Sequence, residues 1–264
     1  MTVITYIDVG AAGQIEAGWK ARNNLKKIKY VGFDPDRRSD SDYIDRTVHP
    51  NAVGRKKMRA TLFETRKPQV SSLLRPAHER LSKFVSSERF EVVGQTEVEV
   101  LPLDHFDIKG PNFLKIDVQG MELDVLKGAR ETLKQCIGLL VEVEFIQIYE
   151  GQPLFGEVSA FLSQHGFEFE DFITLRRWHR KPGGLPGQLI FGDALFLVSP
   201  SSKLDSDQKR ALRLAAEVYG REEHLNQLAQ EGYETKLTKL LKIRMRNRIN
   251  VVAQLAAERL GLIF

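Results

Sequence analysis

The chain has 264 residues and 42% hydrophobic side chains, enough for one large α/β domain or one domain with an appendage. Its single cysteine, Cys136, excludes an intrachain disulfide and a cysteine-built metal site, and it suits a reducing compartment. The formal charge of +4 sits in the last quarter: residues 201–264 carry 12 Lys/Arg against 8 Asp/Glu, whereas the first 200 carry 27 of each, which argues against a nucleic-acid-binding body.

Short apolar runs alternate with helical patterns through the first 200 residues, the mark of a mostly parallel sheet covered by helices on both faces. The first predicted strand, residues 4–9, ends in Gly10-Ala11-Ala12-Gly13, and the second, residues 30–33, is stopped by Asp34-Pro35. A third is expected through Thr47-Val48 and up to Ala52-Val53-Gly54. Residues 55–110 break this rhythm, with alternation in 59–65 and 91–101 predicting antiparallel strands around Ser71-Ser72-Leu73-Leu74. So long an excursion usually covers a site.

Residues 113–118 form the clearest buried strand, followed after Gly120 by a helix with Leu123, Leu126, Ala129 and Leu133 on one face. A strand over 138–145 and a helix over 156–164 come next, then strands over 167–172 and 194–198, expected as an antiparallel pair. Pro200-Ser201-Ser202 marks a boundary. The predicted organisation is a domain over 1–200, with 55–110 and 176–190 as insertions, and a helical C-terminal extension over 201–264. No run approaches the roughly 20 apolar residues of a membrane span, and no secretory leader is visible, so a soluble, cytoplasmic protein is expected.

A strand ending in Asp8-Val9-Gly10, followed by a second ending in an acid, suits an adenosine ligand. Glycine lets the backbone approach the ligand, and Asp34, 24 residues after Gly10, stands where a carboxylate accepts hydrogen bonds from ribose hydroxyls. Gly10-Ala-Ala-Gly13 lacks the third glycine of a dinucleotide loop. Asp8 beside it would repel a pyrophosphate but suits a ligand bearing a sulfonium and an α-amino group.

Several segments together resemble the FkbM-type S-adenosylmethionine-dependent methyltransferases. They are Tyr6-Ile-Asp-Val-Gly-Ala11, Val31-Gly-Phe-Asp-Pro-Asp36, Asn51-Ala-Val-Gly54, Ser71-Ser-Leu-Leu74 and Leu101-Pro-Leu-Asp104. The most specific is Phe113-Leu-Lys-Ile-Asp-Val-Gln-Gly-Met-Glu-Leu-Asp-Val-Leu-Lys-Gly128; Val141-Glu-Val-Glu-Phe145, Gly166-Phe167 and Asp193-Ala-Leu-Phe196 complete the set. The resemblance covers roughly residues 4–198. It implies a seven-stranded class I methyltransferase (Rossmann-like) sheet, S-adenosyl-L-methionine as cofactor, and transfer to hydroxyls of sugars, antibiotics or surface polysaccharides. Two positions depart from the family pattern: Ala12 stands where asparagine is common, and Asp34 where glutamate is more usual. The cofactor contacts so expected are Asp8, Gly10, Ala11, Gly13, Asp34, Pro35, Val53 and Asp117.

A sugar hydroxyl is barely acidic, so a base or a metal should stand near it. Lys115 and Asp117 share one face of an otherwise apolar strand, where charge is costly unless it serves something. Asp117 is the expected base or acceptor-orienting group, with Lys115 and Glu144 beside it; a structural Lys115–Asp117 pair is the alternative. Glu142, Glu144, Asp117 and Glu122 could also hold Mg2+, which would then assist as a Lewis acid. His49 and His105 are alternative bases.

Residues 176–190 read as a mobile loop over the site, in which Trp178 could stack on a sugar and Arg176, Arg177 and Arg180 could grip an acidic group; Ser71 and Ser72 are further substrate-contact candidates. The tail sets Lys236, Lys239, Lys242, Arg244, Arg246 and Arg248 among apolar residues. It could touch an anionic membrane surface peripherally, pack on the domain, or join a homo-oligomer. The expected partner is a sugar or glycan acceptor, not nucleic acid. The rival readings are a non-catalytic adapter that keeps the fold and a nucleic-acid methyltransferase.

Overall fold

The structure, a computed structural model, describes residues 4–12, 15–24, 28–36, 38, 48–181 and 187–230. Gly13, Thr47, most of the 182–190 stretch before Gly187, and the basic tail beyond 230 lie outside the described residues.

The elements in chain order are β1 (Ile4–Val9), α1 (Ala17–Asn24), β2 (Ile28–Phe33), β3 (Val48–His49), β4 (Ala52–Val53), β5 (Met58–Thr65), α2 (His78–Leu81), β6 (Val92–Leu101) and β7 (Asn112–Ile116). Then come α3 (Glu122–Lys127), α4 (Arg130–Leu133), β8 (Cys136–Glu144), α5 (Phe155–Gln164), β9 (Phe167–Trp178), β10 (Gln188–Val198), α6 (Ser206–Tyr219) and α7 (Glu222–Gln230). Seven strands form one mixed sheet in the order β3-β2-β1-β7-β8-β10-β9. Pairings from β3 through β8 are parallel, whereas β10 runs antiparallel to both β8 and β9.

Helices cover both faces. On one, Leu123, Leu126, Leu133, Val158 and Leu162 pack against Ile7, Leu114, Ile116 and Val141. On the other, Trp19, Ala211, Leu212 and Ala215 pack against Ile4, Tyr6, Phe113 and Leu140. With both faces covered, β8 is buried at every residue, so it reads as a continuous apolar run broken only by two glutamates. Asp205 caps α6 by accepting from the amides of Asp207 and Gln208, each at 2.8 Å. The helix is then fixed to the sheet layer, since Trp19 Nε1 donates to the Tyr219 hydroxyl at 3.0 Å. The stretch after Pro200 thus begins inside the core. No helix of the described residues is long and apolar enough to cross a membrane.

Three expectations need correction. The third strand is two: β3 extends the main sheet, while β4 joins β6 and β5 in a separate three-stranded sheet. Asn51 and its neighbours carry the chain from one sheet to the other, which a single apolar run conceals. The helix after Gly120 is broken into α3 and α4, because Gly128 meets the 54–55 backbone; a Cβ there would lie 2.1 Å from the Gly54 carbonyl oxygen. Finally, 176–178 and 188–190 are not loop but the paired ends of β9 and β10, with Gln188 opposite Trp178. Leu175, Arg176 and Arg177 are exposed in succession, so no alternating pattern marks this end of the strand. The excursion behaves as expected: β5 and β6 are antiparallel, and residues 62–73 arch over the ends of the main strands.

Candidate functional site

The site lies beyond the carboxyl ends of β1, β2 and β7, where ligands of open α/β sheets bind. Three backbone bonds tie these ends together. Gly10 and Ala11 donate to the Phe33 carbonyl at 2.9 and 3.0 Å, and Asp117 donates to the Val9 carbonyl at 2.9 Å. Gly10 has φ +83°, and a Cβ on it would sit 1.7 Å from the Asp117 carbonyl oxygen. Only glycine fits there, for steric and conformational reasons together. The result is a cleft of about 680 Å³ between its lining atoms, solvent mouth included.

At one end of this cleft stand Asp34 and Asp36; at the other, Asp117 and Gln119; Val53 and Met121 form part of its apolar wall. Among the described residues its charged lining groups are these three aspartates. Asp34 is 5% exposed and accepts from the Asp36 amide at 2.8 Å. Burial pushes the Asp36 carboxyl up, but the Arg38 guanidinium outweighs it, with bonds of 2.9 and 2.5 Å, and holds Asp36 below its ordinary range. Arg38 also donates to the Thr65 carbonyl at 2.9 Å and to Ser71 Oγ at 2.8 Å, fastening the covering segment to the β2 end.

Beneath the other end is a layer of buried charge. Lys115 Nζ lies 3.4 Å from Asp8 Oδ1 and 3.6 Å from Asp117 Oδ2. Burial alone would favour the neutral amine, but Asp8 and Asp117 prevail and raise its pKa above the ordinary lysine value. The Tyr30 hydroxyl donates to Asp8 at 3.0 Å. Gln119 Nε2 donates to Asp117 Oδ1 at 2.8 Å and to Glu142 Oε2 at 2.5 Å. The Tyr149 hydroxyl, 2.9 Å from Gln119 Oε1, fixes which way that amide faces.

Glu122, Glu142 and Glu144 bring carboxylate oxygens within 4.8 Å of one another, all buried. Burial pushes Glu122 up to about 7, opposed by bonds from the Gly120 and Val118 amides at 3.0 and 3.1 Å. Burial, with neighbouring carboxylates adding to it, drives Glu142 and Glu144 well above the usual carboxyl range. The trio's oxygens are hard donors of the type a divalent cation takes.

Of the expected residues, Gly10, Asp34, Pro35, Val53, Ser71, Ser72 and Asp117 line the cleft. Asp8, Ala11 and Glu144 are buried outside its lining, and Lys115, also outside it, lies 3.6 Å from Asp117. Ser71 and Ser72 reach the cleft wall with their hydroxyls engaged: Ser72 Oγ donates to the Gln119 carbonyl at 2.7 Å. Trp178 lies apart from the cleft lining, packed against Phe84, Phe90 and Phe191 with the Arg89 guanidinium 4.3 Å over its ring. Arg177 is exposed and donates to the Gly187 carbonyl at 3.2 Å. His49 stacks on Phe33 at 4.9 Å and His105 packs edge-on to Phe106; neither lines the cleft. Sequence reasoning missed Asp36, Arg38, Gln119 and Tyr149. Gln119 stood in the most specific block, and its place two residues after Asp117 was the available signal. Tyr149 arrives through a loop, and no spacing announces it.

The methyltransferase FkbM domain matches residues 8–169. None of the curated proteins matches the chain. A similar solved structure is that of methyltransferase FkbM from Methylobacillus flagellatus KT, 17% identical, with a TM-score of 0.41. The likeness covers 74% of this chain and 43% of that one, so the chain spans under half of its length. The domain match takes in more than half of the residues, from the loop at Gly10 to the carboxylates of β8, and the chain belongs to the methyltransferase FkbM family.

Proposed function

We propose that this methyltransferase is an S-adenosylmethionine-dependent O-methyltransferase with a class I sheet, acting on a hydroxyl, most simply that of a sugar in a glycan or glycosylated metabolite. One observation carries the reading: a cleft whose described charged lining is three aspartates, closed at Gly10 by a backbone approach that a Cβ would block. Such a lining repels a pyrophosphate and suits a ligand that bears positive charge and ribose hydroxyls. The residues present therefore fit the cofactor that the family implies. Bound there, it supplies an activated methyl group on a sulfonium.

In this reading Asp34 accepts the ribose hydroxyls, while the Gly10 backbone and the apolar side chains of Val53 and Met121 form the walls of the adenosine pocket. Asp117 takes the proton of the acceptor hydroxyl at a carboxylate oxygen. Lys115, 3.6 Å from one oxygen, and Gln119, 2.8 Å from the other, fix the orientation of the carboxylate. Residues 62–73 exclude water from above. Calorimetry with S-adenosylmethionine and S-adenosylhomocysteine, followed by methyl release over a panel of sugars and glycan extracts, tests this. Binding of both ligands is expected, and failure of either to bind overturns the reading. Asp117→Asn should abolish turnover while cofactor affinity stays within about threefold of wild type, a difference of under 1 kcal/mol. Near-normal turnover removes Asp117 as the base.

A further inference from the structure

Beside the cofactor cleft runs a second groove, of about 1180 Å³ between its lining atoms, solvent included. The two share Leu73 and Met121, so these side chains form a common wall. The groove is aliphatic: Leu74, Val100, Ala60 and Met58 continue the surface, and Met58 is 46% exposed at the rim. Among its described lining residues there is no aromatic ring. Arg55 and Lys56 line one side, both exposed, and neither makes an ion pair with a described residue. Their neighbour Lys57, by contrast, is paired with Glu99 at 3.5 Å. Asp124 is the one acid among its described lining residues.

An apolar trough with two uncommitted cations at its side selects an apolar segment joined to an anion. We infer that this groove is the acceptor subsite, and that the hydroxyl acceptor is an anionic amphiphile. Its apolar segment lies along Leu74 and Val100, and its phosphate or carboxylate meets Arg55 and Lys56. This rests on the methyltransferase reading above and narrows its substrate class. The chain's own tail is a poor occupant, because residues 236–248 carry six cations and no acid, which would face Arg55 and Lys56 as like charges.

The test titrates the full chain, without cofactor, with dodecyl phosphate, dodecanoate and dodecyl maltoside, each below its micelle concentration. At least one anionic probe is expected to bind about tenfold or more tightly than the neutral maltoside. The phosphate and carboxylate arms show which anion is preferred. Arg55→Ala/Lys56→Ala should weaken that probe about tenfold and leave the maltoside unchanged, whereas Met58→Glu should weaken all three. Affinity for S-adenosylhomocysteine, measured on the same variants, should match wild type and so report an intact fold. Absent binding of both anions, equal affinity for charged and neutral probes, or indifference to both variants overturns the inference. So does a wild-type dimer that Met58→Glu dissociates, since a second copy would then fill the groove. Failure of the wild type to bind S-adenosylhomocysteine, by contrast, strikes the cofactor reading and with it the groove's role as acceptor subsite, while its preference for anionic amphiphiles stands.

Discussion

Removing the Lys115 ammonium is the sharpest test of how the site is held. Its Nζ lies 3.4 Å from Asp8 and 3.6 Å from Asp117, with side-chain exposures of 17% for the lysine, 5% for Asp8 and 33% for Asp117. Deleting one partner of a buried ion pair costs about 3–5 kcal/mol, because the other charge stays buried without compensation. Lys115→Met should fall in that range: Asp8 keeps the Tyr30 hydroxyl but loses its cation. Adding Asp8→Asn removes the orphaned charge, so the double variant should recover about 1.5–3 kcal/mol relative to the sum of the singles. The pKa of Lys115 is raised. Its contribution is therefore complete below the ordinary lysine value of about 10.4 and is lost as pH rises through the higher folded value. Urea unfolding of wild type, both singles and the double at pH 7.5 reads these differences directly. Additive costs, or a Lys115→Met cost below about 1 kcal/mol, would refute the account, since surface pairs are worth that little.

Gly10→Ala forces a side chain into φ +83° and against the Asp117 carbonyl. The left-handed conformation alone costs about 1–2 kcal/mol, so S-adenosylhomocysteine affinity should drop about tenfold or more; calorimetry showing wild-type affinity would remove Gly10 as the cleft's closing point. Glu122, raised to about 7, binds a proton more readily folded than unfolded. It favours the fold below the ordinary glutamate pKa of about 4.3, and that advantage, on the order of 3 kcal/mol, is lost as pH rises through 7. Glu122→Gln keeps an oxygen for the Val118 and Gly120 amides, so its melting temperature should vary less than wild type's between pH 5 and 8; parallel profiles would contradict this. Exhaustive EDTA treatment should leave turnover unchanged if Asp117 takes the proton, whereas loss restored by Mg2+ would place a cation on the Glu122, Glu142 and Glu144 trio.

What sequence could and could not disclose follows from the range of the forces involved. The strand-ending motifs were legible because Gly10 and Asp34 line the cleft directly after the ends of their own strands, where spacing maps onto position. Ser71 and Ser72 were also found at the cleft, yet their hydroxyls are engaged with the protein. A motif reports that a segment returns to the site, not whether its side chains face ligand or scaffold. Asp8 shows the same limit: its charge suggested a ligand contact, and the fold sets it against Lys115 and Tyr30 outside the cleft lining. The 176–190 segment failed for a different reason. Burial in β9 does not alternate: Leu175, Arg176 and Arg177 are all exposed on this edge strand, so no period-two apolar signal marks it. Trp178 then found its partners, Phe84, Phe90 and Arg89, in a segment about 90 residues away in sequence, a distance at which no local pattern operates. The acceptor groove belongs to the same class. Arg55 and Lys56 come from the turn before β5, Val100 from β6, and Met121 from the loop before α3. Any acceptor specificity this chain possesses is thus written in the packing of the small sheet against the large one, and substitutions there should alter acceptor choice without touching the strand-end residues on which the family resemblance rests.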